Sequence, residues 1–383
     1  MKDENDYPRK VIILGSTGSI GRNTLEVCRN FPDLFKIAAL SAHTREEELL
    51  SLGREFSVKT LALSGKANNR NFPGYCGPEG LLRMIRETSA DIVINGISGA
   101  VGLLPSLTAL ESGKDLALAN KETMVMAGEL INALAKREGR RILPVDSEHS
   151  AVFFLLRNRN PKELDSIILT ASGGALRDLP LEDFFTATLE QVLRHPNWSM
   201  GRKITVDSAT MANKGLEVLE AEKLFGLPAE RIQVVIHPQS RVHSFIRTVD
   251  GALYAQLSDP DMRLPIMNAL TFPDLPASPF GKLDFSDLTL NFYKPDTKKY
   301  PLLPLAYSAA ASGGGYPLAY NAANEVAVEA FMQQRIGFMD IASIVSETLE
   351  GDWQFPLKSI DTALEMDRIV REYARRVMNK KVV

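Results

Sequence analysis

The first 145 or so residues alternate short apolar runs with amphipathic stretches. "KVIILGS" from Lys10, "KIAALSA" from Lys36 and "TLALSG" from Thr60 are dense in Val, Ile, Leu and Ala, as are "DIVINGI" from Asp91, "DLALAN" from Asp115 and "RILPVD" from Arg141. Such runs read as strands buried on both faces. Helical patterns lie between them, the first from about Ser19 to Asn30. Parallel neighbours need a crossover, and a helix supplies it, so this alternation predicts a doubly wound parallel sheet.

After Asp146 the texture changes. "LDSIILTASGGAL" gives one strand, and "QVVIHPQ", "RVHSFIRTV" and "GALYAQLS" give three more, with Asp250-Gly251 as a hairpin turn between the last two. An α+β domain with an antiparallel-rich sheet is expected. Residues 273–301 are rich in Pro, Asp and Lys with little periodicity and read as a connection. From Leu302 the pattern is helical. Ala323, Val326, Ala327, Ala330 and Phe331 share one helix face that Asn321 is placed to cap, and Met366, Ile369, Val370 and Tyr373 repeat it near the end. The expected division is 1–146, 147–272, 273–301 and a small helical domain over 302–383.

Composition adds limits. With 383 residues, 45% hydrophobic and 24% charged, the chain can bury two or three cores. A net charge of -3 argues against general nucleic-acid binding, and the basic tail (Arg371, Arg375, Arg376, Lys380, Lys381) reads as a solvated helix end. Two cysteines, Cys28 and Cys76, do not make a disulfide framework. The polar start MKDENDYPRK has no signal-peptide core, and no apolar run has the length of a membrane span. A cytoplasmic protein without membrane partners is expected.

Candidate chemistry begins at "ILGSTGSIG", where Gly15, Gly18 and Gly21 stand between a strand and a helix. Small residues there let backbone N–H groups approach a pyrophosphate at the helix N-terminus, which makes the amino-terminal domain Rossmann-like. The spacing G-x-x-G-x-x-G departs from the usual fingerprint, and a tight strand–helix turn is the alternative. After the second strand comes His43-Thr44-Arg45 instead of a carboxylate. A cation there favours the phosphorylated dinucleotide NADP; the alternative is a solvated surface Arg45.

Two further segments carry polar chemistry. In "LPVDSEHS", an extended backbone would turn Asp146 and Glu148 to one side, with Ser147 and His149 opposite. A cation would relieve the repulsion of the two carboxylates, and oxygen ligands suit Mg²⁺ or Mn²⁺. The helix after Asp207 offers a third ligand: Met211, Val218, Ala221 and Phe225 form an apolar face, with Asn213 and Glu217 on the other. N-capping and surface roles remain open, and Glu220 and Glu222 compete with Glu217. "LTASGGAL" places Ser172, Gly173 and Gly174 after a strand, able to present donors to an anion. His195, Ser208, Asn213 and Lys214 could add charge and hydrogen bonds for a phosphate monoester.

"GSTGSIG", "LANKE", "PVDSEHSA", "TASGG", "HPNWSMGRKITVDSATMANKGLE", "IHPQS" and "NAANEVAV" occur in an order, along nearly the whole chain, that resembles the 1-deoxy-D-xylulose 5-phosphate reductoisomerases. The resemblance implies that Asp146, Glu148 and Glu217 bind the metal and that Lys121, Glu148, His195 and Glu217 serve the reaction. It implies that Lys121, Ser147, Glu148, Ser172, His195, Ser208, Asn213, Lys214 and Glu217 contact a sugar phosphate. Trp198 would cover it. Thr17, Gly18, Ser19, Ile20, Asn120, Glu122 and Gly201 would touch NADPH, whereas Arg45 is assigned to its 2′-phosphate on chemistry, because the family's residues there differ. "SGGAL" replaces the more usual "SGGPF".

The implied reaction is a metal-assisted rearrangement followed by reduction with NADPH, in a homodimer to which the middle sheet contributes. In "HPNWSMG", Asn197, Ser199 and Gly201 would let the backbone move as a lid. His237 and His243 read as structural, with His243 the nearer to the site. Two rival readings are an NADP-dependent dehydrogenase without the isomerase step and a nucleotide-sensing binding protein. The metal carboxylates disfavour the first, and the complete set Lys121, Asp146, Glu148 and Glu217 disfavours the second.

Overall fold

A computed structural model describes residues 8–69, 71–198 and 200–381 of the protein. The chain clusters into two compact units. One takes in the chain up to Asn120, then Ile131–Ser150 and Asp261–Lys282; the other takes in Lys121–Leu130, Ala151–Pro260 and the chain from Leu283.

The first unit is built on β1 (Arg9–Leu14), β2 (Phe35–Ala42), β3 (Leu61–Leu63), β4 (Tyr75–Cys76), β5 (Ile92–Asn95), β6 (Asp115–Leu118) and β7 (Ile142–Pro144). The order is β4-β3-β2-β1-β5-β6-β7, and every pair is parallel. All six expected strands are present in an α/β, doubly wound sheet. The seventh, β4, has two residues and no apolar run to announce it. Val11 to Leu14 have no exposed surface, as strands covered on both faces require. The order reverses between β1 and β5, and ligands of such sheets bind beyond the strand ends at that point. There Gly15 has φ +72°, and a Cβ on it would stand 3.0 Å from the Gly96 carbonyl oxygen. Only glycine lets these two strand ends close up.

The second unit holds a four-stranded sheet of β8 (Leu164–Ala171), β9 (Ile232–Ile236), β10 (Val242–Thr248) and β11 (Leu253–Leu257), in the order β11-β10-β8-β9. It is mixed: β8 and β9 are parallel, whereas β10 is antiparallel to both β8 and β11. Asp250-Gly251 makes the expected hairpin turn, with Gly251 donating to the Thr248 carbonyl. Residues 273–301 contribute one bridge, Tyr293 to Ile236.

The helix Ala212–Phe225 sits between this sheet and the helical region. Val218 and Ala221 pack with Ile167, Leu169 and Ile246 of the sheet. Leu216 and Leu219 join the core of the helices Leu302–Ser312 and Tyr316–Met332. Lys214, Glu217 and Glu220 of this helix are buried as well, so its polar side is enclosed too.

Two further helix readings change. Asn321 does not cap: Tyr316–Met332 begins after Gly315, with Pro317 in its first turn, and Asn321 is fully buried inside it. Pro is suited to a helix start, so the helix extends five residues before Asn321. In Ile360–Lys381 the buried face is Ala363, Val370, Ala374, Val377 and Met378, while Ile369 and Tyr373 are both 37% exposed. The packed side is thus a mix of alanines and the larger Val370, Val377 and Met378, turned away from Ile369 and Tyr373. Arg371 is no solvated tail cation; it pairs with Glu325 and Asp367, each at 2.6 Å. No helix among the described residues is long and apolar enough to cross a membrane.

Candidate active site

In the first unit, the segment after β1 turns tightly into the helix Ser19–Asn30. The Gly18 N–H donates to the Gly15 carbonyl, and Gly18 is the N-cap with no side-chain cap. Gly21 is pressed onto this turn so closely that a Cβ would lie 2.3 Å from the Gly15 oxygen. The helix N-terminus, flanked by Thr17, Ser19 and Ile20, has no side-chain cap, which suits a phosphate. Arg45 Nη1 donates to the Thr17 carbonyl at 3.0 Å and lies 3.6 Å from Glu48. Its side chain is 61% exposed, so the guanidinium reaches over the glycine turn with faces still in water. Asn120, buried, donates to the carbonyls of Ile97 and Gly99, both at 2.9 Å, and ties the loop after β5 to the end of β6.

Asp146 and Glu148 also belong to this unit, but not as an extended pair. β7 ends at Pro144 and the helix Ser147–Leu156 begins three residues later. Asp146 starts it: its carboxylate accepts from the Glu148 N–H at 3.2 Å and its carbonyl from the Ser150 N–H at 2.8 Å. Capping geometry and the positive helix end, rather than strand alternation, set the two carboxylates. Ser147 Oγ donates to Glu148 Oε2 at 2.5 Å, and buried His149 lies 3.8 Å from Asp146.

In the second unit, Glu217 is 1% exposed. Lys214 pairs with its Oε2, Asn213 Nδ2 donates to its Oε1 at 2.6 Å, and Lys121 Nζ stands 3.9 Å from the same oxygen. Glu220 is equally buried, and burial pushes the Glu222 pKa up. Asp207 and Ser208 lie at the end of the helix Arg202–Ala209, and Met211 with φ +61° separates it from the expected following helix, Ala212–Phe225. Gly201 is the N-cap of the first of the two.

The Ser172-Gly173-Gly174 loop lies against that helix end. A Cβ on Gly174 would be 2.6 Å from the Ser208 carbonyl oxygen, so the two segments can approach only with glycine there. Carbonyl oxygens of the loop are taken by protein donors, Arg177 at Ser172 and Tyr300 at Gly173. Ser172 Oγ accepts from the Gly174 N–H at 3.1 Å and lies 2.9 Å from His195 Nε2. The other ring nitrogen, Nδ1, accepts from the N–H groups of Asn197 and Trp198 at 3.2 and 2.9 Å. A nitrogen that accepts twice carries no proton, so the proton of His195 is on Nε2 and points to Ser172. With both bonds received by Ser172 Oγ, its own hydroxyl proton is turned outward as a donor. Burial, with the Arg177 charge, pushes the His195 pKa down to about 4, which keeps the ring neutral.

Trp198 is half-buried, its ring 6.4 Å from His243. Asn197, expected to give the loop freedom, is instead a tether, donating to the Pro238 carbonyl at 2.7 Å and Ser240 Oγ at 2.8 Å. Ser199, the other expected hinge, lies outside the described residues. His243 bonds Ser258, and His237 is stacked on Phe292 at 4.7 Å with both nitrogens bonded, as structural histidines are.

Sequence reading did not find Lys203, Asp207 or Asn324. Lys203 Nζ lies 2.8 Å from Glu122 and 3.0 Å from Asp207, and Asn324 Nδ2 donates to Asp207 at 2.8 Å. Burial disfavours a charged Lys203, but Asp207, Glu122 and Glu325 outweigh it and raise the pKa. Burial likewise opposes an ionised Glu122, and Lys203 reverses that, holding its carboxyl below the usual range. The only local signal was Lys203 and Asp207 four apart among apolar and small residues.

A family model described as 1-deoxy-D-xylulose 5-phosphate reductoisomerase matches residues 11–128, and two for the C-terminal domains of that enzyme match 142–225 and 257–373. The 1-deoxy-D-xylulose 5-phosphate reductoisomerase of Treponema denticola is 46% identical over 367 residues, 96% of each chain. That of Chlorobaculum tepidum is 45% identical over 380 residues, 97% of this chain and 100% of its own. A crystal structure of DOX-P reductoisomerase in complex with NADPH, fosmidomycin and magnesium is similar with TM-score 0.89 at 38% identity, over 97% of this chain and 98% of that one. The Zymomonas mobilis enzyme in complex with NADPH gives 0.88 at 37%, over 97% and 99%.

The His195 geometry makes a prediction. A histidine whose folded pKa is about 4, against about 6.5 unfolded, binds fewer protons folded than unfolded between those values. Its contribution to stability is therefore intact above about pH 6.5 and declines as the pH falls towards 4. Nitrogen-detected NMR of the imidazoles should find His195 as the Nε2–H tautomer, neutral at pH 5.5. A midpoint near 6.5, or a proton on Nδ1, would contradict the assignment.

Proposed function

The chain belongs to the 1-deoxy-D-xylulose 5-phosphate reductoisomerase family, and on that premise we propose its reaction and the residues that carry it. It is an NADPH-using oxidoreductase that rearranges and reduces 1-deoxy-D-xylulose 5-phosphate to 2-C-methyl-D-erythritol 4-phosphate, a step of isoprenoid precursor synthesis, with a divalent metal. The observation that carries the assignment of residues is the buried Glu217 carboxylate with Lys121, Asn213 and Lys214 around it. A plain dehydrogenase has no use for such an array.

The residues present fit both groups. Asp146 and Glu148 at a helix start, and Glu217 in the second unit, are hard oxygen donors of the kind Mg²⁺ or Mn²⁺ takes. When bound, the cation supplies Lewis-acid polarisation of a carbonyl and its neighbouring hydroxyl, and NADPH supplies hydride. The open helix N-terminus at Thr17, Gly18, Ser19 and Ile20 fits the pyrophosphate, with Asn120, Glu122 and Gly201 as further NADPH contacts.

The chain's own groups divide the rest of the work. The outward hydroxyl of Ser172 donates to the substrate phosphate, and Ser208, Asn213 and Lys214 complete that grip. Neutral His195 aims Ser172 and cannot repel a cation nearby. Lys121 and Lys214 offset the Glu217 charge before metal arrives and act on substrate oxygens afterwards. Ser147 orients Glu148. Holding the phosphate end uses remote binding energy to set the reacting end. Trp198 covers the bound substrate and excludes water as the 195–201 loop closes. The protein works in the cytoplasm as a homodimer to which the second unit's sheet contributes.

The test is NADPH consumption with deoxyxylulose phosphate. Turnover should vanish in excess chelator and return with Mg²⁺ or Mn²⁺; full activity after verified metal removal refutes the metal assignment. No turnover with metal supplied refutes the substrate. For Arg45 a specific outcome is expected. A charge-assisted hydrogen bond to the 2′-phosphate contributes roughly 1.5–3 kcal/mol, so Arg45→Ala should lower the NADPH-over-NADH preference about 10- to 150-fold. An unchanged ratio means that Arg45 only braces Thr17.

A further inference from the structure

Lys121–Leu130 is a short piece of a longer helix, Lys121–Glu138, that breaks from helical geometry at Ala127 (φ -147°, ψ 26°). The piece clusters with the second unit, and two lysines of that unit hold it. Lys223 lies over Gly128, where a Cβ would come within 2.8 Å of its side chain, and its ammonium is 3.2 Å from Glu129. Lys203 takes the other end through Glu122 at 2.8 Å.

These two clamps differ in kind. Glu129 is 85% exposed, so its pair is screened and weak. Glu122 and Asp207 are 7% and 2% exposed, and Lys203 between them 19%. Lys203 is anchored from behind: Asp207 is fixed by fully buried Asn324, and the adjacent Glu325 is held by Arg371. Lys121, next to Glu122 in sequence, reaches towards Glu217, and Lys203 hydrogen-bonds the Glu122 carboxylate. An ionised carboxylate in a fixed place accepts hydrogen bonds from hydroxyl or amide groups, and NADPH carries both.

We infer that Lys203 is a positioning residue for the cofactor, acting through Glu122, and that Asp207 and Asn324 hold Lys203 to that task. The inference rests on the proposed contact of Glu122 with NADPH. It makes cofactor affinity depend on helices far along the chain. Without Lys203 the Glu122 carboxylate would lose a hydrogen-bonded cation that helps to fix its position. Substrate groups, held by Ser172 and Lys214, would keep theirs.

The experiment is a double-mutant cycle read as NADPH Kd by fluorescence, without substrate or metal, on wild type, Lys203→Met, Glu122→Gln and the pair. Circular dichroism checks folding. Lys203→Met is expected to raise Kd at least about tenfold, and in the Glu122→Gln background to add less than about twofold, since coupled residues are non-additive. The KM for deoxyxylulose phosphate should move less than the KM for NADPH. If Lys203→Met does not fold, Asp207→Asn replaces it in the same cycle, with a smaller rise and the same coupling expected. An unchanged Kd, or losses that multiply as independent effects, overturns the inference. Wild type that binds no NADPH at all instead refutes the reading beneath it.

Discussion

A carboxylate removed from water needs a partner, and in the second unit that demand falls on Glu217. The residue sits in a helix packed between a sheet and a set of helices, with 1% of its surface exposed. An unpaired buried charge costs several kcal/mol, and breaking a buried pair costs about 3–5 kcal/mol. Lys214, Asn213 and Lys121 meet that cost, and each is also a group that a phosphorylated, oxygen-rich substrate can use. The same burial that makes the carboxylate expensive keeps its surroundings dry, so a charge placed there acts strongly. Stability and chemistry thus draw on one arrangement.

The loop geometry follows from close packing against the same helices. Gly174 allows the Ser172 turn to rest on Ser208, and His195 reaches Ser172 Oγ at 2.9 Å. In the first unit the corresponding device is the Gly15 and Gly21 approach, which opens a helix N-terminus beyond β1. Both turns are set by close backbone packing at glycine, and in both a nearby side chain braces the turn, Arg45 at Thr17 and His195 at Ser172.

Much of this was legible in the chain. Apolar runs gave six of the seven strands of the first sheet, and Ser19–Asn30 was found to the residue, because local pattern and tertiary burial agree there. The failures have separate physical sources. Asp146 and Glu148 were read as extended because a strand precedes them, but a capping aspartate starts a helix at once. The polar side of the helix around Glu217 is enclosed along with its apolar side, so periodicity carried no signal of that burial. Lys203 meets Glu122 across 81 positions and Asn324 meets Asp207 across 117, and no local window contains either pair.

The central claim is that Glu217 is a buried, charge-balanced carboxylate whose purpose is a divalent cation. Mn²⁺ titration followed by electron paramagnetic resonance, on wild type and Glu217→Gln, tests it directly. Glutamine keeps the size and the contacts with Asn213 but is a poorer ligand for a hard dication. The account predicts one Mn²⁺ bound per chain in wild type and a loss of at least about tenfold in affinity for Glu217→Gln, with the fold intact by circular dichroism. Equal Mn²⁺ affinity in the two proteins would contradict it.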